Sequence, residues 1–312
     1  MPNRQATFQS ANLLSALFGS VLTLLLGLAA CNPAQASQPV TASPQPSASR
    51  TPIQLTPSLT ASKTPQTSTA TPSLTPTPAC TTQPGQVEEV ALETTHMYQP
   101  FKFRVYLPPC YAQETDQHYP VLYLFHGLFY GDDQWARIGV VEVANRLIST
   151  GEIAPFMIVM PYDSNGREPG STFFDEVFME DLLPYIDANY RSLPQAAYRA
   201  LGGLSRGAGW ALHFGLTNPS LFGIIGAHSP IIFWEDSPEI GKWLDAIPAS
   251  RLPRIYVDIG DSDPDPGSAL LMEKLLTERN ILHDFHTSPG YHTEQYWESQ
   301  VESYLRWYAA GW

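Results

Sequence analysis

Gly203-Leu204-Ser205-Arg206-Gly207 sets a serine between two glycines in a G-x-S-x-G pattern. A strand-like run over 198–201 precedes it and a helix-like run over 208–216 comes after it. Strand, sharp turn and helix, in that order, are the setting of a nucleophile elbow. The glycines have a steric reason to be there. A strained turn brings its flanking positions against neighbouring backbone, where a Cβ would clash. Ser205 would stand at the tip. The amide of Arg206, at a helix N-terminus, would point at any developing oxyanion. A glycine-rich turn with no chemistry would look the same locally, so the rest of the chain has to decide.

Around that turn, strand-like and helix-like runs alternate. Residues 87–94 and 101–107 alternate in the manner of antiparallel strands, and 121–125 is a continuous apolar run, as a buried strand should be. Residues 140–150 have helical spacing, with Gly151 placed to end the helix. Further buried strands are expected at 156–160, 197–201, 223–227 and 255–259, with a short strand at 283–287. Helices are expected at 178–190, 208–217, 269–280 and 293–310. Leu182, Leu183 and Ile186 share one face of the first of these. This order predicts an α/β fold: a mostly parallel sheet with helices on both faces and an antiparallel N-terminal edge. Ligands in such sheets bind outside the carboxyl ends of the strands.

The chain divides into three stretches: 1–31, 32–85 and 86–312. Residues 11–30 form a Leu-rich apolar run behind Arg4, ending in Leu28-Ala29-Ala30-Cys31. This resembles a bacterial lipoprotein signal, with Cys31 as the lipid-anchored residue. An ordinary cleaved signal or an uncleaved anchor would equally export the remaining chain. Residues 32–85 are low-complexity Pro, Ser, Thr, Ala and Gln, with too few large apolar side chains for a core, and read as a disordered surface tether. With Cys31 assigned to the anchor, Cys80 and Cys110 remain, and an exported location predicts that they form a disulfide. Of 17 Lys and Arg, three (Arg4, Arg50 and Lys63) precede residue 86, whereas none of the 30 Asp and Glu does. The folded part therefore carries 14 basic against 30 acidic groups, a net of −16. That charge excludes nucleic acid as a partner and leaves the lipid anchor as the sole membrane contact. The sequence does not fix the oligomeric state.

A serine hydroxyl needs a base to take its proton and an acid to orient that base. In parallel-sheet enzymes built on this elbow the acid comes after the serine and the histidine comes last. His283 and His286 fall in or beside the short strand. His292 lies in a loop after it, and is the expected base. Asp261, Asp263 and Asp265 compete for the acid in the turn after 255–259; Asp263 is preferred and Asp261 is the runner-up. Their alternation also suggests a calcium loop, but Pro266 and Met272 stand where that pattern requires Gly and Glu. The second oxyanion donor is expected from the early turn His126-Gly127-Leu128, as the amide of Leu128 beside that of Arg206. His126 and His228 read as structural hydrogen-bonding residues. Phe129, Tyr130, Trp135, Phe233, Trp234 and Trp243 are either a substrate-lining set or ordinary packing.

With His-Gly, G-x-S-x-G, Gly-x-x-Asp and Gly-x-His in that order, the chain resembles the putative-esterase family of α/β-hydrolases. That family includes feruloyl esterase modules, S-formylglutathione hydrolases and mycolyltransferases. The resemblance rests on 119–127 with Trp135, on 180–186, on 200–207 with Asn218, Pro219 and Phe222, and on Gly290-Tyr291-His292 with Trp297. Arg206 departs from the commoner Met. The resemblance implies Ser205 as nucleophile, His292 as base, an Asp of the 261–263 turn as acid, and no metal or organic cofactor. It implies hydrolysis of a small-molecule or polysaccharide-linked ester, such as a feruloyl or acetyl ester. An acyltransferase acting on cell-envelope sugars and a non-catalytic binding protein on the same scaffold are the competing readings.

Overall fold

The computed structural model describes residues 83–164 and 166–312. Cys31, Cys80, the apolar run at 11–30 and nearly all of the expected tether lie outside the described residues. Among the described residues no helix is long and apolar enough to cross a membrane.

Eight strands form one sheet: β1 (Gln86–Leu92), β2 (Phe101–Leu107), β3 (Val121–Phe125), β4 (Met157–Pro161), β5 (Arg199–Leu204), β6 (Ile224–His228), β7 (Arg254–Gly260) and β8 (His283–Ser288). Their order is β1-β2-β4-β3-β5-β6-β7-β8. The β1–β2 and β2–β4 pairs are antiparallel and every other pair is parallel. This is the α/β-hydrolase arrangement, with the antiparallel edge the sequence predicts. The parallel strands end in step: Phe125 lies beside Gly203, Leu204 beside His228, His228 beside Asp258, and Gly260 beside Ser288. The loops that leave them therefore share one edge of the sheet.

Side chains of successive strand residues point to opposite faces, and each face is buried. Tyr123 and Phe125 of β3 join one cluster, with Phe174 and Phe178, with Trp210 and Phe214 of α5 (Arg206–Thr217), with Ile240 of α6 (Ile240–Ala246) and with Met272 of α7 (Gly267–Glu278). Leu122 and Leu124 join the other, with Trp135 of α1 (Gln134–Arg137), Leu147 of α2 (Val140–Ser149), and Tyr304 and Tyr308 of α8 (Glu294–Ala309).

Where element bounds differ from the sequence reading, a local cause is visible. The helix expected at 178–190 begins earlier, as α3 (Phe174–Glu176), widens into a π-helical turn over Val177–Leu182 and continues as α4 (Leu183–Asn189). Pro184 enters directly after the wide turn; it cannot donate to the carbonyl one turn back and its ring crowds it. β5 continues through Gly202 and Gly203, residues of low strand preference, because a tyrosine needs the space at Gly202 and the Gly207 backbone needs it at Gly203. A Cβ on Gly202 would lie 2.2 Å from the Tyr308 hydroxyl, and one on Gly226 would lie 1.9 Å from it. α1 and α6, of four and seven residues, are too short to show a period.

The Tyr308 hydroxyl reaches through that gap to His228 Nε2 (3.0 Å). His228 Nδ1 donates to Asp258 Oδ1 (2.7 Å), while Asp258 Oδ2 accepts the hydroxyls of Tyr296 and Tyr304 (2.7 Å each). Burial pushes the Tyr304 and Tyr308 hydroxyls well above the usual phenol range, so both remain proton donors. Asp258→Ala removes the acceptor common to three buried donors. The expected loss is about 3–5 kcal/mol of unfolding free energy, read as a fall in the urea midpoint at unchanged slope.

Candidate active site

Ser205 sits between β5 and α5 with φ 54° and ψ −121°, a conformation rarely adopted by a residue with a Cβ. The backbone around it is pinned: Ser205 N–H donates to the His228 carbonyl (2.8 Å), and its own carbonyl accepts from Ile231 (3.1 Å). The glycines are there for space. A Cβ on Gly203 would stand 2.2 Å from the Gly207 carbonyl, and one on Gly207 would stand 2.2 Å from the Phe125 carbonyl oxygen.

His292 Nε2 lies 2.8 Å from Ser205 Oγ, and His292 Nδ1 lies 2.7 Å from Asp263 Oδ2. With Nδ1–H donating to the carboxylate, Nε2 is the acceptor for the serine hydroxyl, which is the tautomer a base needs. The Asp263 side chain is fully buried, and its other oxygen accepts the Asp265 amide (3.0 Å). Asp261, the runner-up, turns elsewhere. Its Oδ1 accepts from Gly290 N–H (3.1 Å) and the Ser262 hydroxyl (2.9 Å), so it holds the loop that carries His292 rather than the ring itself. His283 and His286 are not brought to Ser205: His283 pairs with Glu273 (2.6 Å), and His286 stacks on Tyr256. Among the described residues no group of three or more His, Cys, Asp or Glu is arranged to hold a metal ion.

The turn after β3 is held by three side chains. Trp135 Nε1 donates to the Phe125 carbonyl (2.9 Å), and Gly127 N–H donates to Gln134 Oε1 (2.8 Å). His126 Nδ1–H donates to the Gly127 carbonyl (2.7 Å), and its Nε2 accepts Asp163 N–H (2.9 Å). His126 is therefore a structural bridge. With the Gly127 amide committed, the next amide, that of Leu128, is the one this turn can offer. The Arg206 amide opens α5, where intrahelical acceptors are lacking. The Arg206 side chain is taken up separately. Its Nε and Nη2 donate to Asp163 Oδ2 (3.1 and 2.9 Å), Nη2 also meets the Arg167 carbonyl, and the guanidinium lies 4.8 Å from the Phe233 ring centre. Trp210 Nε1 donates to the same Asp163 oxygen (3.0 Å).

A cavity of about 430 Å³ opens beside this turn, lined in part by Leu128, Phe129, Tyr130, Tyr162 and Arg206. The six aromatic residues singled out in the sequence separate here. Phe129 and Tyr130 line the cavity, Trp135 and Phe233 are core, and Trp234 projects into solvent. Trp243 packs edge-on against His213. His228, fully buried in its Asp258 network, does not line the cavity. Asp163 escaped the sequence reading, although its position two residues beyond β4, at the same edge of the sheet, was a usable signal.

A family model described as Putative esterase matches residues 94–308. The chain belongs to this family. It is 31% identical over 223 residues to an endo-1,4-β-xylanase/feruloyl esterase of Xylanibacter ruminicola, covering 65% of this chain and 30% of that protein. It is 33% identical over 137 residues to an esterase of Mycobacterium tuberculosis, covering 40% of this chain and 28% of that one. The chain thus spans about a third or less of the length of these curated relatives. In fold it is similar to a ferulic acid esterase (TM-score 0.67, 23% identity, 74% of this chain and 99% of that one). It is also similar to a feruloyl esterase module from Clostridium thermocellum complexed with sinapinate (TM-score 0.63, 16% identity, 72% and 88%).

Burial lowers the pKa of His126 below the ordinary histidine value, outweighing the Gly127 carbonyl and the Asp163 and Asp132 charges that favour protonation. A depressed folded value means that the unfolded chain takes up the proton first. Stability should be full above pH about 6.5 and fall below it, with a slope approaching about 1.4 kcal/mol per pH unit from this group. Urea unfolding from pH 7.5 to 5 should show that component in the native chain and not in His126→Asn, which starts from lower stability.

Proposed function

We propose that the chain is an exported serine esterase that cleaves a carboxylic ester through an acyl-enzyme on Ser205. The observation that carries this reading is the continuous hydrogen-bonded line Ser205 Oγ–His292–Asp263 at the carboxyl edge of the sheet. Ser205 Oγ attacks the ester carbonyl as its proton passes to His292 Nε2, and Asp263 stabilises the imidazolium. The amides of Leu128 and Arg206 receive the oxyanion. Collapse expels the alcohol, which leaves with the proton from His292. Water, deprotonated by the same nitrogen, then attacks the acyl-serine, and the carboxylic acid is released as Oγ recovers its proton.

For the substrate, we propose an ester linked to a plant or envelope polysaccharide, a feruloyl or acetyl ester first among them. The names of the relatives and the aromatic wall of the cavity support that choice. Export with a lipid anchor at Cys31 and a tether over 32–85 would set the enzyme at the cell surface, beside polymers too large to enter. A Cys80–Cys110 disulfide would fasten the end of the tether. In its favour, Gln83 and Pro84 line one small cavity with Cys110, and Gln83 is only three residues beyond Cys80.

A fluorophosphonate probe should label the native chain and not Ser205→Ala; a folded native chain that takes no label and cleaves no ester would sink the hydrolase reading. Asp263→Asn should lower kcat by about 10³- to 10⁴-fold by stabilising the wrong imidazole tautomer. Asp261→Asn keeps an oxygen acceptor for the Gly290 amide and should cost about tenfold or less. Non-reducing peptide mapping should recover the peptides holding Cys80 and Cys110 as one cross-linked species; two separate thiol peptides would remove the disulfide from the proposal.

A further inference from the structure

The base and the oxyanion donors arise far apart in the sheet. The Leu128 turn leaves β3 and the His292 loop leaves β8, with β5, β6 and β7 between them. Strand pairing sets each loop on its own strand but leaves their separation to the groups that bridge them. Gln134 makes such a bridge. It is fully buried at the start of α1, and its Oε1 accepts Gly127 N–H (2.8 Å) next to the Leu128 amide. Its Nε2 donates to Glu294 Oε1 (3.0 Å), across 160 residues of sequence, and Glu294 opens α8 two residues beyond His292. The two partners fix which way the amide faces, since only its oxygen can accept from Gly127 and only its nitrogen can donate to the carboxylate. Glu294 is itself held by Arg137 through two hydrogen bonds (3.0 and 3.2 Å), and Arg137 is held by Asp133 (2.9 Å).

We propose that Gln134 and Glu294 are positioning residues that set the distance between the Leu128 amide and His292. The proposal rests on the hydrolase reading for its consequence but not for its geometry. An ordinary structural tie would cost stability alone. A spacer between base and oxyanion donor costs turnover, because a donor misplaced by about 1 Å loses most of its value in the transition state. Ground-state binding does not depend on that alignment, so KM should be spared.

The test is a reciprocal exchange. Gln134→Glu keeps an acceptor for Gly127 but sets two carboxylates against each other. It should lower kcat about 10- to 100-fold with KM within about threefold of the native chain. Adding Glu294→Gln restores a donor–acceptor pair with its direction reversed, and the double variant should return kcat to within about threefold of native. Should Gln134→Glu fail to fold, Gln134→Met, of similar volume, takes its place as the broken state. A double variant no better than the single one, or a single variant with native kcat, overturns the proposal. A native chain that hydrolyses no ester overturns the hydrolase reading instead, and the tie is then read directly. Exchange of the Gly127 amide proton should quicken by about tenfold in Gln134→Met, which offers that amide no acceptor; unchanged exchange overturns the tie.

Discussion

The backbone of Ser205 is the constraint on which the rest of this site depends. Holding a residue with a Cβ at φ 54° costs of order 1–3 kcal/mol, and the conformation persists only because its surroundings leave no other. The Gly203 and Gly207 backbones touch where any side chain would clash, and Gly207 lies against the Phe125 and His126 carbonyls. The tip of the turn is thereby pressed against the end of β3, the strand from which the His126-Gly127-Leu128 turn departs. One steric arrangement thus does two jobs: it presents the hydroxyl, and it sets the distance between the elbow and its neighbour. Ser205 N–H and carbonyl are both bound to the segment around His228, which removes the remaining freedom.

The two faces of the sheet support that turn by different physics. On one side Phe174, Phe178, Trp210 and Phe214 pack in stacked and tilted pairs, with ring centres 4.5–6.3 Å apart. This is non-directional burial, tolerant of small shifts. On the other side His228, Asp258, Tyr296, Tyr304 and Tyr308 form a closed hydrogen-bonded group directly beneath the loops that carry Ser229 and His292. Directional bonds between buried groups are costly to leave unmade, so they fix one geometry where apolar contact would allow several. Tyr296 shows the link to the site: its ring lies against Gly290, where a Cβ would meet it at 2.5 Å, and its hydroxyl is fixed by Asp258. The loop bearing His292 is thereby clamped on the tyrosine side, while Asp261 holds the Gly290 amide on the other.

Much of the architecture was legible because the parallel strands are buried on both faces and read as continuous apolar runs. β2 and β3 have the bounds expected from the alternation over 101–107 and the unbroken apolar run over 121–125. β5 did not, because Gly202 and Gly203 answer to Tyr308 and Gly207, contacts that no window of sequence contains. At the candidate site, chain order and strand-end position sufficed to point to Ser205, His292 and Asp263, which the structure brings together. They ranked Asp263 above Asp261 without excluding the latter, since both side chains reach the same loop, one at the His292 ring and one at the Gly290 amide. Gln134 was silent, and Asp163 signalled only by its place beyond β4, for a different reason. Each matters through a partner 160 or 43 residues away, and neither falls in a motif.

Arg206 is the residue whose presence is least expected at an elbow, and its surroundings explain how it is tolerated. A guanidinium taken out of water is costly unless its charge is met and its donors are satisfied. Asp163 meets the charge, the Arg167 carbonyl takes a further donor, and the ring of Phe233 covers one face. Asp163 is in turn held at its amide by His126 and at its carboxylate by Trp210, so the ion pair belongs to the same scaffold that orders the His126-Gly127-Leu128 turn. A pair so closely matched presents little net charge to the cavity. The side chain then acts as a wall, and the backbone amide is what it offers to chemistry. Under the proposed esterase reading, a pocket of aromatic and paired polar walls, set in a domain carrying a net charge of −16, would favour an uncharged ester over an anionic one. A free carboxylate would meet repulsion on approach and find the Arg206 charge already met by Asp163 on arrival.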